Sequence, residues 1–298
     1  YKYPMESFFA IERVYDNLDA IKKNADNYAF LCHVVFENIR LKDPRFPMPI
    51  LSMYKALCTI DAINDNGRAT EIKLCEYYMN EIDLLLIDKY YTWDKIKIDG
   101  VYIAWKDYLP KWFTDKVYEL YKNKCTLKGV DDILYGLSKS QINSCFGMCA
   151  QHPVSTMIEE NYLAGINGEE PYKTNIDINF EEEYDKHVKN RNSFLPYHWA
   201  CWITANAMRN LFELGECVAD DGLWIYSDTD SVFGSAFDLD KINAYNESRI
   251  KLLKDRGYPG VTVGDNTYHL GVCELDKTIM QLKTLHSKCY VYRPLKAV

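Results

Sequence analysis

An α+β fold is the class this sequence predicts, and three patterns along the chain predict it. Strand-like and helical segments alternate without the βαβ rhythm of a parallel sheet. Two long helical segments meet across a short break at Cys125–Gly129, the signature of an antiparallel helical hairpin. Apolar residues flank a short polar turn at 223–235, as in a strand–turn–strand unit.

The elements follow in order. Residues 8–70 are mixed and partly strand-like: Phe30–Phe36 is a β-branched and aromatic run, and Asn64-Asp65-Asn66-Gly67 is a strong turn signal. Asn80 to Tyr91 reads as a short helix, with Asn80 as its cap and Asp83 three residues on. Lys95–Trp105 alternates as a strand does. One helix is predicted from about Leu109 to Tyr121, with Trp112, Lys116, Glu119 and Lys122 close together by helical spacing, and a second from Val130 to Phe146. Residues 148–193, with Glu181-Glu182-Glu183 among them, are polar, acidic and irregular and read as an insertion. Pro196 opens another helix, with Trp199, Ile203, Ala207 and Leu211 on one face. Beyond the strand–turn–strand unit come a helix near 240–256 and strands at 268–274, 278–284 and 288–293. No repeat appears at solenoid periods.

At 298 residues, 48% hydrophobic and 26% charged, the chain has globular composition, which excludes the disordered and low-complexity classes. No apolar run approaches the roughly 18 residues of a membrane span, and no signal peptide opens the chain. Ten cysteines lie scattered without a CxxC, the closest pair being Cys145 and Cys149, so reduced thiols of a soluble, cytoplasmic protein are expected rather than disulfides or a zinc site. The six histidines show no metal-ligand spacing, and the Trp199/Trp202 pair is expected in a core. A first residue of Tyr1 rather than Met suggests a piece of a longer chain or a processed product. The net charge of −8 argues against nucleic-acid binding, but its distribution does not. Lys277, Lys283, Lys288, Arg293 and Lys296 follow one another with no acidic residue from 277 onward, and Lys111, Lys116, Lys122, Lys124 and Lys128 form a second group. Solvated faces account for either group taken alone.

The stretch Leu223-Trp224-Ile225-Tyr226-Ser227-Asp228-Thr229-Asp230-Ser231-Val232-Phe233 places two carboxylates at a hairpin tip. On extended backbone, side chains two apart point the same way, so Asp228 and Asp230 are candidates for one metal site. A plain turn, which also favours Asp, Ser and Thr, is the alternative. The string Tyr-x-Asp-Thr-Asp-Ser resembles motif C of family B DNA polymerases, in which such a hairpin holds the carboxylates that bind catalytic divalent metals. Lys139-Ser140-Gln141-Ile142-Asn143-Ser144-Cys145-Phe146-Gly147 is similar to motif B of that family, with Phe146 in place of its Tyr. On a helix Lys139, Asn143 and Phe146 share a face. The resemblance implies that Lys139 neutralises an incoming triphosphate, that Asn143 and Phe146 frame the nascent base pair, and that Gly147 lies against DNA. Lys288-Cys289-Tyr290 looks like the family's Lys-x-Tyr region, which implies that Lys288 and Tyr290 contact DNA near the primer terminus. Lys122, near the end of the first helix of the hairpin, is implied to face triphosphate as well. Ile203-Thr204-Ala205-Asn206-Ala207-Met208-Arg209 resembles a palm helix of the protein-primed members, with Met208 where they carry Arg.

The resemblance implies an antiparallel palm sheet with flanking helices and a two-helix fingers hairpin. It divides the chain into residues 1–100 as the start of the palm with a terminal-region-like insertion, 101–147 as fingers, 148–193 as a second insertion and 194–298 as palm with catalytic hairpin and basic tail. The implied activity is DNA-directed nucleotidyl transfer from a deoxynucleotide to a primer 3′-hydroxyl, with Asp228 and Asp230 as catalytic metal ligands and Mg²⁺ or Mn²⁺ as cofactor. The implied partners are primer-template DNA, deoxynucleotide and a terminal protein primer, with no membrane, in the host cytoplasm if the protein is viral. The family's motif A carboxylate is absent, since Tyr3-Pro4 at most ends that motif; the exonuclease Asp-x-Glu and a thumb-sized segment are absent too. The expectation is therefore a C-terminal polymerase part that needs an upstream segment carrying motif A. The alternative is a non-catalytic DNA-binding remnant or assembly subunit. A metal-dependent nuclease ranks third, because residues of the fingers type have no role in it.

Overall fold

The computed structural model describes residues 1–44, 46–152, 154, 158–160, 162–169, 172–174, 179–193, 195–286 and 288–295. Lys296 of the basic tail and Ser287 beside Lys288 lie outside the described residues. The first elements are β1 (Tyr3–Pro4), β2 (Phe9–Ile11), α1 (Asp19–Asn24), β3 (Tyr28–Leu41), β4 (Leu51–Ser52), β5 (Cys58–Asp65), β6 (Arg68–Asn80), α2 (Glu81–Tyr90), β7 (Tyr91–Thr92) and β8 (Lys95–Asp107). Their strands form one eight-stranded antiparallel sheet in the order β1-β8-β3-β6-β4, with β2 on β8, β5 on β6 and β7 on β3.

Period-two alternation builds this sheet. Cys32, Val34 and Phe36 are buried, whereas Leu31, His33 and Val35 are only half-buried. Phe36 stands between Cys75 of β6 and Ile96 of β8. The predicted turn is present between β5 and β6: Asn66 and Gly67 both have positive φ (48° and 76°), the geometry of a two-residue hairpin turn. Gly67 is required twice over, since a Cβ there would lie 2.4 Å from the Tyr54 ring. The predicted cap of α2 is also present, with the Asn80 side chain accepting from the Ile82 and Asp83 N–H groups at 2.9 Å. One core cluster, from Leu18 to Val101, fills the space between sheet and helices.

Two long antiparallel helices follow, α3 (Lys111–Leu127) and α4 (Asp132–Cys149). The expected break at Cys125–Gly129 falls later, because Cys125 to Leu127 remain helical. The chain turns only at Gly129 (φ +75°), and Asp131 then caps α4 by accepting from Ile133 and Leu134. The stretch expected to be irregular holds β9 (Ile158–Glu160), α5 (Tyr162–Ile166), β10 (Tyr172–Thr174) and α6 (Phe180–Lys189). Glu181-Glu182-Glu183 is the first turn of α6, capped by Asn179, where acidic residues meet the positive end of the helix.

The remaining elements are α7 (Tyr197–Gly215), β11 (Trp224–Asp228), β12 (Ser231–Gly234), α8 (Leu239–Asp255), β13 (Val261–Val263), β14 (Asn266–Tyr268), β15 (Ile279–His286) and β16 (Cys289–Pro294). The expected apolar stripe of α7 is shifted: Trp199, Trp202, Ala205 and Asn206 are buried while Ala207 is exposed. A strict four-residue spacing drifts around a helix of 3.6 residues per turn. Of the strand expected at 268–274 only Tyr268 is in one, and Gly271 takes a positive φ of 77°. β11 pairs with β12, β13 with β14 and β15 with β16, each pair a separate two-stranded sheet.

Three junctions hold the halves together. Glu81, 1% exposed, accepts from Lys106 Nζ at 2.8 Å, from Trp202 Nε1 at 2.8 Å and from the Phe30 N–H at 2.9 Å, which joins α2, β8, α7 and β3. Trp199 Nε1 donates to the Pro4 carbonyl, tying α7 to β1. A strap after α8 runs along α3: Arg256 lies 3.4 Å from the Tyr108 ring, Tyr258 Oη donates to Asp115 at 2.8 Å, and Tyr118 Oη donates to the Pro259 carbonyl at 2.6 Å. Val261 is buried with Tyr121 and Cys125. All ten cysteines are free, and among the described residues no helix is long and apolar enough to cross a membrane.

Candidate active site

The hairpin β11–β12 is anchored at its base and open at its tip. Trp224 packs edge-on against Phe46 and Phe212, with ring centroids 5.4 and 5.7 Å away, and its Nε1 donates to Ser227 Oγ at 2.8 Å. Gly215 of α7 permits this docking, since a Cβ there would lie 2.2 Å from the Trp224 ring. The ladder then pairs Tyr226 with Phe233, Ser227 with Val232 and Asp228 with Ser231.

Asp228 ends β11, and Thr229 and Asp230 form the turn. Thr229 is left-handed (φ +55°), and the Asp230 N–H closes onto the Asp228 carbonyl at 2.6 Å. The extended-backbone argument for parallel side chains therefore does not apply at these two carboxylates, because the residue between them reverses the chain. Thr229 Oγ1 donates to Asp228 Oδ1 at 3.0 Å, and Ser231 Oγ to the Asp228 carbonyl at 3.0 Å. The Asp228 side chain is 28% exposed, and Asp230 is exposed.

The turn between β15 and β16 sits on this hairpin. Lys288 donates its N–H to Tyr226 Oη at 2.9 Å, and its Nζ stands 4.0 Å from Asp228 Oδ1. The Tyr290 ring lies 5.6 Å from Tyr226 and 5.4 Å from Phe233. Lys288 and Tyr290, remote in sequence, thus lie against the hairpin that carries Asp228 and Asp230.

Lys139, Asn143, Phe146 and Gly147 lie exposed along α4. That helix packs against α7, and α7 in turn packs against both strands of the hairpin. Among the described residues no hydrogen bond or ion pair links these four side chains to the hairpin, and Lys139 has no ion-pair partner. Lys122 sits elsewhere, with its Nζ 6.0 Å from the Tyr118 ring centroid, lining a cleft of about 260 Å³ between α3 and the strap at Gly257 and Tyr258. Sequence reasoning missed the strap, the Trp224 anchor and the contact of Tyr226 with Lys288. The last joins residues 62 apart, and no local pattern signals it.

Two carboxylates offer hard oxygen donors suited to Mg²⁺ or Mn²⁺. Among the described residues no group of three or more His, Cys, Asp or Glu could hold a metal. The donors fit such an ion in kind and would supply only part of its coordination shell.

No family model matches the chain, and no curated protein matches it in sequence. Solved structures match it in fold. Phi29 DNA polymerase complexed with primer-template DNA, a post-translocation binary complex, aligns with a TM-score of 0.53 at 14% identity over 82% of this chain and 37% of that one. Phi29 DNA polymerase complexed with single-stranded DNA aligns with a TM-score of 0.50 at 14% identity over 79% and 35%. The chain spans little more than a third of the polymerase it matches, 37% in the first alignment. At this identity the likeness is one of fold: most of this α+β chain shares the architecture of part of a DNA polymerase.

Proposed function

We propose that this chain is the palm and fingers portion of a template-directed DNA polymerase of family B, of the protein-primed branch. The observation that carries the reading is the gathering of Lys288 and Tyr290 onto the Asp228/Asp230 hairpin, inside a fold similar to that of Phi29 DNA polymerase. The partners in this reading are primer-template DNA, deoxynucleotide and a terminal protein that supplies the priming hydroxyl. The segments 15–100 and 148–193 serve in it as the inserted subdomains.

Asp228 and Asp230 would hold Mg²⁺ or Mn²⁺, which supplies charge neutralisation for the attacking hydroxyl and the leaving phosphate. Thr229 and Ser231 fix the Asp228 carboxylate and backbone, so that this ligand is oriented before substrate arrives. Lys139, exposed and without an ion pair among the described residues, is free to bind triphosphate in this reading. Asn143 and Phe146 beside it offer an amide and an apolar ring to the base pair, and Gly147 leaves room for DNA. Lys288 brings a positive charge, and Tyr290 a half-exposed phenol, to the surface where the primer end would lie. Lys122, exposed on α3 beside the strap cleft, offers a second positive charge for triphosphate in this reading. Two carboxylates are too few for a two-metal centre, so the reading includes a further acidic donor from another polypeptide segment, upstream or separate. The same shortage favours a second reading, a non-catalytic DNA-binding subunit.

Thermal unfolding with deoxynucleotide and Mg²⁺ separates the two. A polymerase site is stabilised by the pair, by roughly 2.7 kcal/mol at a hundredfold excess over Kd, and Lys139→Ala or Asp230→Asn removes the effect. No response in the wild-type chain would favour the non-catalytic subunit. Primer extension, tested with the chain alone and with a segment carrying the missing carboxylate, then decides activity. Extension by the chain alone at the rate of the supplemented sample would refute the need for a further donor.

A further inference from the structure

Tyr226 is the one large side chain of the catalytic hairpin motif to which the proposed reaction gives no task. Its ring packs in a triangle with Phe233 on its own hairpin and Tyr290 on the neighbouring one, 5.6 Å from each. The ring alone explains an aromatic residue at this position but not a phenol. The hydroxyl oxygen accepts the Lys288 N–H at 2.9 Å. Lys288 occupies the left-handed region (φ +60°) in the turn that joins β15 to β16, a conformation that side chains other than Gly and Asn seldom hold without support. Its own side chain cannot fix it: the ammonium is 73% exposed and 4.0 Å from Asp228, and a pair so exposed contributes little order. A backbone anchor one bond from the lysine Cα can.

We propose that Tyr226 is a positioning residue whose phenol oxygen latches the Lys288 turn to the catalytic hairpin and so holds the Lys288 ammonium beside Asp228. The latch stands on geometry alone, whereas its consequence for DNA binding rests on the polymerase reading. Tyr226→Phe tests it, because the ring packing survives and only the acceptor is lost. Residue-resolved hydrogen exchange on the full chain should show the Lys288 amide exchanging about tenfold faster in Tyr226→Phe, with the amides of β11 unchanged. Fluorescence anisotropy with a labelled duplex bearing a recessed 3′ end should show Tyr226→Phe weakening binding about three- to fivefold, the scale of one hydrogen bond. Lys288→Ala should weaken it at least as much, and the double variant no further than Lys288→Ala, since the phenol acts through the lysine. A purely structural role would lower affinity equally in both backgrounds. Unchanged exchange at Lys288 in Tyr226→Phe, or penalties that multiply in the double variant, would overturn the proposal. If the wild-type chain binds a recessed end no better than a blunt duplex, the polymerase reading fails instead, and the exchange measurement alone decides the latch.

Discussion

The first 107 residues and the remainder of the chain spend their sequence differently. In the former, β3, β6 and β8 lie in one sheet with long ladders, and one continuous cluster from Leu18 to Val101 is buried. In the latter, β11 to β16 form isolated hairpins, α8 buries no residue, and the clusters are small patches where helices touch. Every candidate site residue lies in the second region. In the proposed reading the tip meets a nucleotide and a DNA end and so cannot also be buried, and sites that bind and move are drawn from the less stable parts of a protein. The large sheet supplies the platform: Phe46 and Tyr90 of the first region ring Phe212 and Trp224 of the second, and this aromatic cluster holds the β11–β12 hairpin in place.

Three measurements would break or sharpen this contrast. Equal truncations should cost unequally in urea unfolding: Phe36→Ala, in the fully buried sheet, by about 3–5 kcal/mol, and Phe233→Ala, half-buried on the hairpin, by roughly half as much. Equal losses would show that the two regions share one core. Glu81→Ala strips Lys106 and Trp202 Nε1 of their buried acceptor at the junction and should cost about 3–5 kcal/mol. The chevron or melt should then lose its single transition, because α7 is held to the sheet through this carboxylate; a single transition would show that the remaining contacts suffice.

The smallest effect is a pH dependence at Asp83. Burial raises its carboxyl from 3.8 to about 6, against the pull of Lys55 and the Asn80 hydrogen bond, with Glu81 adding to the rise. The folded state then binds this proton more tightly than the unfolded chain, so the contribution of Asp83 to stability is fullest below about pH 4 and is lost as pH climbs through 6. Because the side chain is partly solvated, the loss should be about 1–2 kcal/mol. Asp83→Asn should flatten that portion of the stability–pH curve, and an unchanged curve would place the titration elsewhere.

Legibility along the chain tracks how local each cause is. The Asn80 cap, the Asn66-Gly67 turn, the alternation of β3 and the Pro196 start of α7 depend on a few neighbouring residues, and each is legible in the sequence. The end of α3 is hidden in the sequence because Cys125 to Leu127 have no breaker among them, and the order in α6 because an acidic run is also a good first turn behind Asn179. At the candidate site the residue types in Tyr-x-Asp-Thr-Asp-Ser pointed to a hairpin tip, but the reversal at Thr229 did not follow from alternation, since a left-handed residue is a property of the closed turn.

What the amino-acid sequence determined by itself is therefore the kind of chemistry available: two acidic residues on a tight turn, a lysine-bearing helix, and a Lys-x-Tyr segment. Only the tertiary structure decided which of these meet. It set Lys288 and Tyr290 on the hairpin and turned Lys122 toward the strap. Residues remote in the chain are brought together by packing, and packing is decided by all the buried faces at once rather than by any one stretch.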